Sequence, residues 1–173
     1  PAQPANGEAV TAIGKAGILV MQLAQDTKYL SANVINVAKS FNDAQVKLLV
    51  PVKDHLTWLD LSRSGITDQA ANDLGQLNML TKLHLENTAV TDQTLQHIGK
   101  LENLEYLNLY GTKVTDAGLE NLKSLKKLKK LYVWQTGVTK AGADKLKEAV
   151  PGLYVNLGWQ VPKQEDKPEE PKK

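Results

Sequence analysis

The sequence predicts a mixed α/β chain in which one strand–turn–helix unit is stacked repeatedly on itself. Three observations predict it. Blocks beginning at Leu56, Leu80, Leu104 and Leu128 recur every 24 residues. In each block positions 1, 4, 6, 11, 16, 19 and 22 are Leu, Ile, Val or Ala, without exception over 28 positions, while the residues between them are mostly polar. Within a block the apolar spacing changes from two, as along a strand, to three, as on the buried face of a short helix or 3₁₀ segment. A repeat of this length marks units that bury their apolar faces against their neighbours.

Taken in order, "PAQPANGE" reads as a linker over 1–8; it lacks an initiator Met and is expected to open a fragment or a processed form. Residues 9–55 read as an N-terminal helical cap followed by a degenerate first repeat. The apolar pattern of "GEAVTAIGKAGILVMQLAQDTKY" predicts helix that covers the open end of the core. Ile35 and Val37 stand 24 residues before Leu59 and Leu61, which puts the first strand near 34–37, and Val46, Leu49 and Val52 form a helix offset by one residue. Residues 56–161 are the repeats, with strands near 58–62, 82–86, 106–110 and 130–134, and a last strand near 154–158 carrying Val155 and Leu157. Between strand and helix lie "ITD", "VTD", "VTD" and "VTK", where Thr67, Thr91, Thr115 and Thr139 are placed to cap the helices that follow. The Pro-, Glu- and Lys-rich segment 162–173 reads as a disordered, solvated tail.

"LTWLDLSRSGI", "LTKLHLENTAV", "LEYLNLYGTKV" and "LKKLYVWQTGV" resemble the leucine-rich repeat, L-x-x-L-x-L-x-x-N/C-x-L. The resemblance implies a right-handed solenoid with a parallel β-sheet on the concave side and short helices on the convex side. The usual Asn or Cys of the ninth position is replaced by Ser64, Thr88, Thr112 and Thr136. A hydroxyl both donates and accepts but is shorter than an amide, and the four are expected to stack as a buried structural ladder. More narrowly, "MQLAQDTKYLSANVI" with "TWLDLSRSGITD" is similar to C-terminal repeat regions of large bacterial envelope proteins, some of which carry cytochrome c-like domains. That likeness implies an extracytoplasmic, periplasmic or cell-surface location. C-x-x-C-H is absent, so no haem attaches covalently within this chain.

Composition bounds the chemistry. The 173 residues are 42% apolar and 23% charged with a net charge of +2, a soluble globular balance for one domain. Without cysteine there is no disulfide, thiolate zinc site or thiol nucleophile. "AGILVMQLA" is too short to span a membrane. The lysines of "SLKKLKKLYV" fill polar positions between core leucines and are nearly balanced by acids elsewhere, so no nucleic-acid partner is expected; "GKAG" lacks the rest of a phosphate-binding loop. Asp60 and His84 occupy the same position in adjacent repeats with Glu86 nearby, which could form an acid–base pair or a weak metal site. An exposed ion pair on a flat sheet is the preferred reading, because His55 and His97 fall elsewhere and no nucleophile accompanies the group. Neither catalysis nor a metal or cofactor is expected.

The outward positions of the strands carry the functional expectation. Of the nine aromatic residues, Trp58, Tyr106, Tyr110, Tyr132, Trp134, Tyr154 and Trp159 fall on outward positions, and only Tyr29 and Phe41 do not. The core is supplied with Leu, Ile and Val without them. Rings gathered on one face either stabilise the sheet as cross-strand pairs or meet a partner. The preferred reading is a non-catalytic, monomeric module that binds a protein or peptide through Trp58, His84, Tyr106, Asn108, Tyr110, Tyr132, Trp134 and Tyr154. The alternatives are a glycan-binding module using the same rings, and a structural domain of a larger envelope protein.

Overall fold

A computed structural model describes residues 4–158. Seven strands form one sheet in chain order: β1 (Leu19–Gln22), β2 (Leu30–Asn33), β3 (Leu56–Asp60), β4 (Lys82–His84), β5 (Tyr106–Asn108), β6 (Lys130–Tyr132) and β7 (Tyr154–Asn156). β1 and β2 pair antiparallel, and every later pair is parallel. The 24-residue period appears directly as register: Leu59, Leu83, Leu107, Leu131 and Val155 lie side by side facing the core. Beside them run Trp58, Lys82, Tyr106, Lys130 and Tyr154, and then Asp60, His84, Asn108, Tyr132 and Asn156, both rows facing outward. The strands are shorter than expected and end at the fifth position. The chain nevertheless keeps bonding sideways beyond them, with Arg63 N–H donating to Glu86 O, Asn87 N–H to Tyr110 O and Gly111 N–H to Trp134 O.

The opposite side holds α2 (Asp43–Val46), α3 (Ala71–Leu74), α4 (Asp92–Ile98), α5 (Asp116–Leu119) and α6 (Lys140–Ala149), three of them joined to short 3₁₀ turns. Of the 28 apolar template positions, all but Val138 and Ala149 are buried, and Val150 enters the core beside Ala149. The Thr side chains cap their helices as expected, but they also do something the repeat alone did not indicate. Thr67, Thr91, Thr115 and Thr139 each present N–H and Oγ1–H to the carboxylate of the preceding coil: Asp43, Asp68, Asp92 and Asp116, at 2.6–2.9 Å. Each Asp therefore serves its own helix N-terminus and ties the next coil to it. Gly118 and Gly142 make room for this relay, since a Cβ at either would run into Asp92 or Asp116.

Three expectations are corrected. The N-terminal apolar pattern is not one helix: α1 (Gly7–Lys15), capped by the Asn6 side chain, stops before Gly17 at φ 80°, and the chain returns as the β1–β2 hairpin. "ILVMQ" is apolar on both faces, and such a run carries no period that separates helix from strand. The first parallel strand is 30–33, not 34–37. Leu30 pairs with Leu56 and Ala32 with Leu59, with a register shift after Leu30, so the first coil is longer than 24 residues. Ile35, expected in the core, is 71% exposed, while Val34 is buried. Finally, the ninth-position hydroxyls each find the expected partner in their own turn but are not all buried. Ser64, Thr88, Thr112 and Thr136 donate to the carbonyls of Leu61, Leu85, Leu109 and Val133 in their own turns, at 2.6–2.7 Å. Thr136 is only half-buried, unlike the other three. The expected tail, 162–173, lies outside the described residues.

Candidate functional site

Alternation along the strands puts the rings on the concave surface, and the short lateral spacing of a sheet brings them into contact. Trp58, His84, Tyr106, Tyr132 and Tyr154 zigzag across five strands with successive centroids 6.4, 4.8, 5.3 and 6.2 Å apart. Tyr110 and Trp134 form a separate stacked pair one column away, at 5.2 Å and 27°. Lys82 lays its Nζ 4.8 Å over the Trp58 ring. Trp58, Trp134 and Tyr154 remain 39%, 45% and 53% exposed, while Tyr106, Tyr110 and Tyr132 are half-buried among their neighbours. Burial, then the neighbouring Tyr132 and Glu86, holds the Tyr106 phenol above its ordinary pKa. Trp159, also expected on this face, is not among the described residues.

The eight predicted side chains share the face but divide between two hollows. Asn108, Tyr110, Tyr132 and Trp134 line a cavity of about 1000 Å³. Trp58, His84 and Tyr106 line a shallower one of about 370 Å³ with Lys82, Lys129 and Lys130. Tyr154 lines neither. Besides Ser62, Arg63, Asn87 and Asn156, two parts of the large cavity's lining fall outside the predicted set. One is the turn 35–40, which forms a wall over the face and whose residues 35–37 the 24-residue period predicts as strand. The other is Glu86.

Asx-type turns shape the cavity floor. Asn33, Asp60, Asn108 and Asn156 each accept from the backbone N–H two residues on, at 2.6–3.1 Å, which turns the chain sharply at the end of the strand. At the eighth position of the four repeats, Arg63, Asn87, Gly111 and Gln135 have φ of 54–68°. Asp60 is thereby engaged with Ser62 N–H and Asn33 Nδ2, and does not bond His84. His84 turns instead to Glu86, with Nδ1 and Oε1 2.8 Å apart, and Asn108 Nδ2 donates to the same oxygen. Glu86 Oε2 is shut away from water and has no hydrogen-bond partner. The expected Asp60–His84 neighbours therefore separate into two unconnected polar groups.

No protein-family model and no curated protein matches the sequence. Among solved structures, the chain is similar to an internalin from Listeria monocytogenes, with TM-score 0.56 and 19% identity over 66% of this chain and 32% of that one. The leucine-rich-repeat ectodomain of the receptor kinase SOBIR1 from Arabidopsis thaliana matches with TM-score 0.51 and 16% identity, over 86% of this chain and 93% of that one. The fold is a leucine-rich-repeat solenoid. The chain spans about a third of the length of the internalin. No helix of the described part of this solenoid is long and apolar enough to cross a membrane.

Proposed function

We propose that the solenoid is a non-catalytic recognition module that takes a protein or peptide segment on its concave aromatic face. One observation carries the reading. The ring series runs across five strands with its ends 39% and 53% exposed, over a core already closed by Leu, Ile and Val. Tyr and Trp held rigid by a sheet offer large, half-polar contact area at small entropic cost. The turn 35–40 adds a wall, so the face is a trough and not a flat sheet. Likeness to the ectodomain of a receptor kinase supports both the recognition role and an extracytoplasmic location. We read the module as a monomer from a bacterial envelope protein.

The test is selection from an unbiased displayed-peptide library, followed by alanine variants. Tyr110→Ala and Trp134→Ala keep the fold, because neither ring enters the core, and weaken selected peptides by about thirtyfold, as truncated interface anchors do. Variants that melt early identify the rings as cross-strand supports. Peptides that bind both variants like the wild type place recognition elsewhere. A glycan panel run in parallel decides the alternative, since aromatic faces also stack on sugar rings; binding confined to that panel transfers the face to sugars.

A further inference from the structure

We infer that the large concave cavity recognises a single basic side chain of the peptide, its cation at Glu86 and its flat or apolar part on the Tyr110–Trp134 pair. This rests on the concave face being the recognition surface, and adds the chemical class of the ligand.

The inference begins with the unfinished hydrogen bonding of Glu86. Two neighbours, His84 and Asn108, hold Oε1 and so orient the carboxylate. Oε2 has neither a protein partner nor access to water. A buried acceptor in that condition carries a standing cost, and a carboxylate oxygen is relieved best by a cationic donor. Glu86 lines the cavity and its side chain retains 17% exposure, so a small rotation brings the unpartnered oxygen to an incoming group. One coil on, in the same column, comes Tyr110, and its ring stacks at 5.2 Å on Trp134. Carboxylate and π-faces side by side suit a guanidinium above all, which hydrogen-bonds along its edge and stacks on its face.

The cavity's own cations narrow the ligand further. Arg63 and Lys39 line the same space, yet neither forms an ion pair with Glu86, whose side-chain partners among the described residues are the His84 ring and the Asn108 amide. Arg63 is carried on a turn residue with φ of 59°, in the coil before Glu86. Two exposed cations at the walls disfavour a run of lysines or arginines. The fit is therefore to one basic residue among neutral or acidic ones, not to a polybasic segment.

The experiment uses the whole chain and two blocked peptides, Gly-Gly-Arg-Gly-Gly and its citrulline counterpart, which has the same shape without the charge. Binding is followed by NMR through the indole N–H of Trp134, assigned with Trp134→Phe. The expected result is a saturable shift with the arginine peptide and an affinity at least about tenfold lower for citrulline. Glu86→Gln, which keeps an acceptor for Asn108, brings the arginine affinity down to the citrulline level. Equal binding of the two peptides by the wild type overturns the inference without requiring any variant to fold. Unchanged arginine binding by Glu86→Gln overturns it too, as does the absence of a saturable shift with either peptide. Library-selected peptides separate this from the broader reading. If they lack basic residues and ignore Glu86→Gln but are lost in Tyr110→Ala, the concave face stands and the charge recognition falls. If they ignore Tyr110→Ala and Trp134→Ala as well, the concave reading itself falls.

Discussion

Replacing Asp68 by Ala tests whether the solenoid is held by a relay between coils as well as by its leucines. Asp92 and Asp116 each accept from the N–H and hydroxyl of one Thr in the following coil. Asp68 accepts from Thr91 in the same way and additionally from Thr94, whose hydroxyl lies 2.5 Å away and whose side chain is fully buried. Deleting the carboxylate thus removes charge-assisted bonds to Thr91 and strands a buried hydroxyl. A bond to a charged group contributes about 1.5–3 kcal/mol and an unpaired buried polar group costs about 1–3 kcal/mol; the contributions overlap, so the loss comes to about 3 kcal/mol. Asp92→Ala, whose Thr115 is exposed to water, loses about half as much. In a chain of this size about 3 kcal/mol lowers Tm by roughly 6–12 °C. Urea unfolding followed by both circular dichroism and tryptophan fluorescence measures the difference.

Acid supplies a second arm. Burial raises the Asp68 pKa, but the hydrogen bonds from Thr94 and Thr91 together outweigh it, and the folded carboxyl lies below the ordinary aspartate range. A depressed carboxylate contributes stability that is complete above the unfolded pKa and disappears as pH falls through the folded one. The wild type should therefore lose this contribution below about pH 4, and Asp68→Ala should show a correspondingly flatter acid limb. An Asp68→Ala variant as stable as the wild type, or one with the wild-type acid limb, refutes the relay; one that loses no more than Asp92→Ala refutes the added role of Thr94.

Other outcomes follow from the same geometry. Thr112→Val should cost only about 1 kcal/mol in urea unfolding, because the Leu109 carbonyl keeps the Thr112 N–H at 3.1 Å when the hydroxyl is lost. Gly118→Ala should lower Tm, since its Cβ would run into the Asp92 carboxylate and lie 2.9 Å from Leu95, whereas Gly7→Ala, with open space around it, should be neutral or slightly stabilising. Ile35→Ser should change stability by less than about 0.5 kcal/mol and Val34→Ala should cost about 1–2 kcal/mol, as their opposite burial requires; the reverse order would restore the strand at 34–37.

The repeating part of the chain can be read from its residues alone. Where every coil has the same length, residue i lies beside residue i+24, and side-chain alternation then assigns each position to core or surface without reference to anything distant. That is why Leu83, Leu107 and Leu131 were legible as one core row, and Tyr106, Tyr132 and Trp134 as members of one outer face. Tertiary structure decided what the period does not govern. The β1–β2 hairpin arises in a stretch apolar on both faces, and the lengthened first coil throws out the turn 35–40 that walls the cavity. The Asp–Thr relay was written in every "TD", but its direction, to the next coil and not only to its own helix, depends on how close two backbones pass at Gly118 and Gly142. Glu86 shows the same limit at the site itself. Its outward position follows from the repeat, but its unsatisfied oxygen does not. That depends on His84, Asn108 and Arg63, three residues that differ from one coil to the next, and only their packing decides which of them a carboxylate can reach.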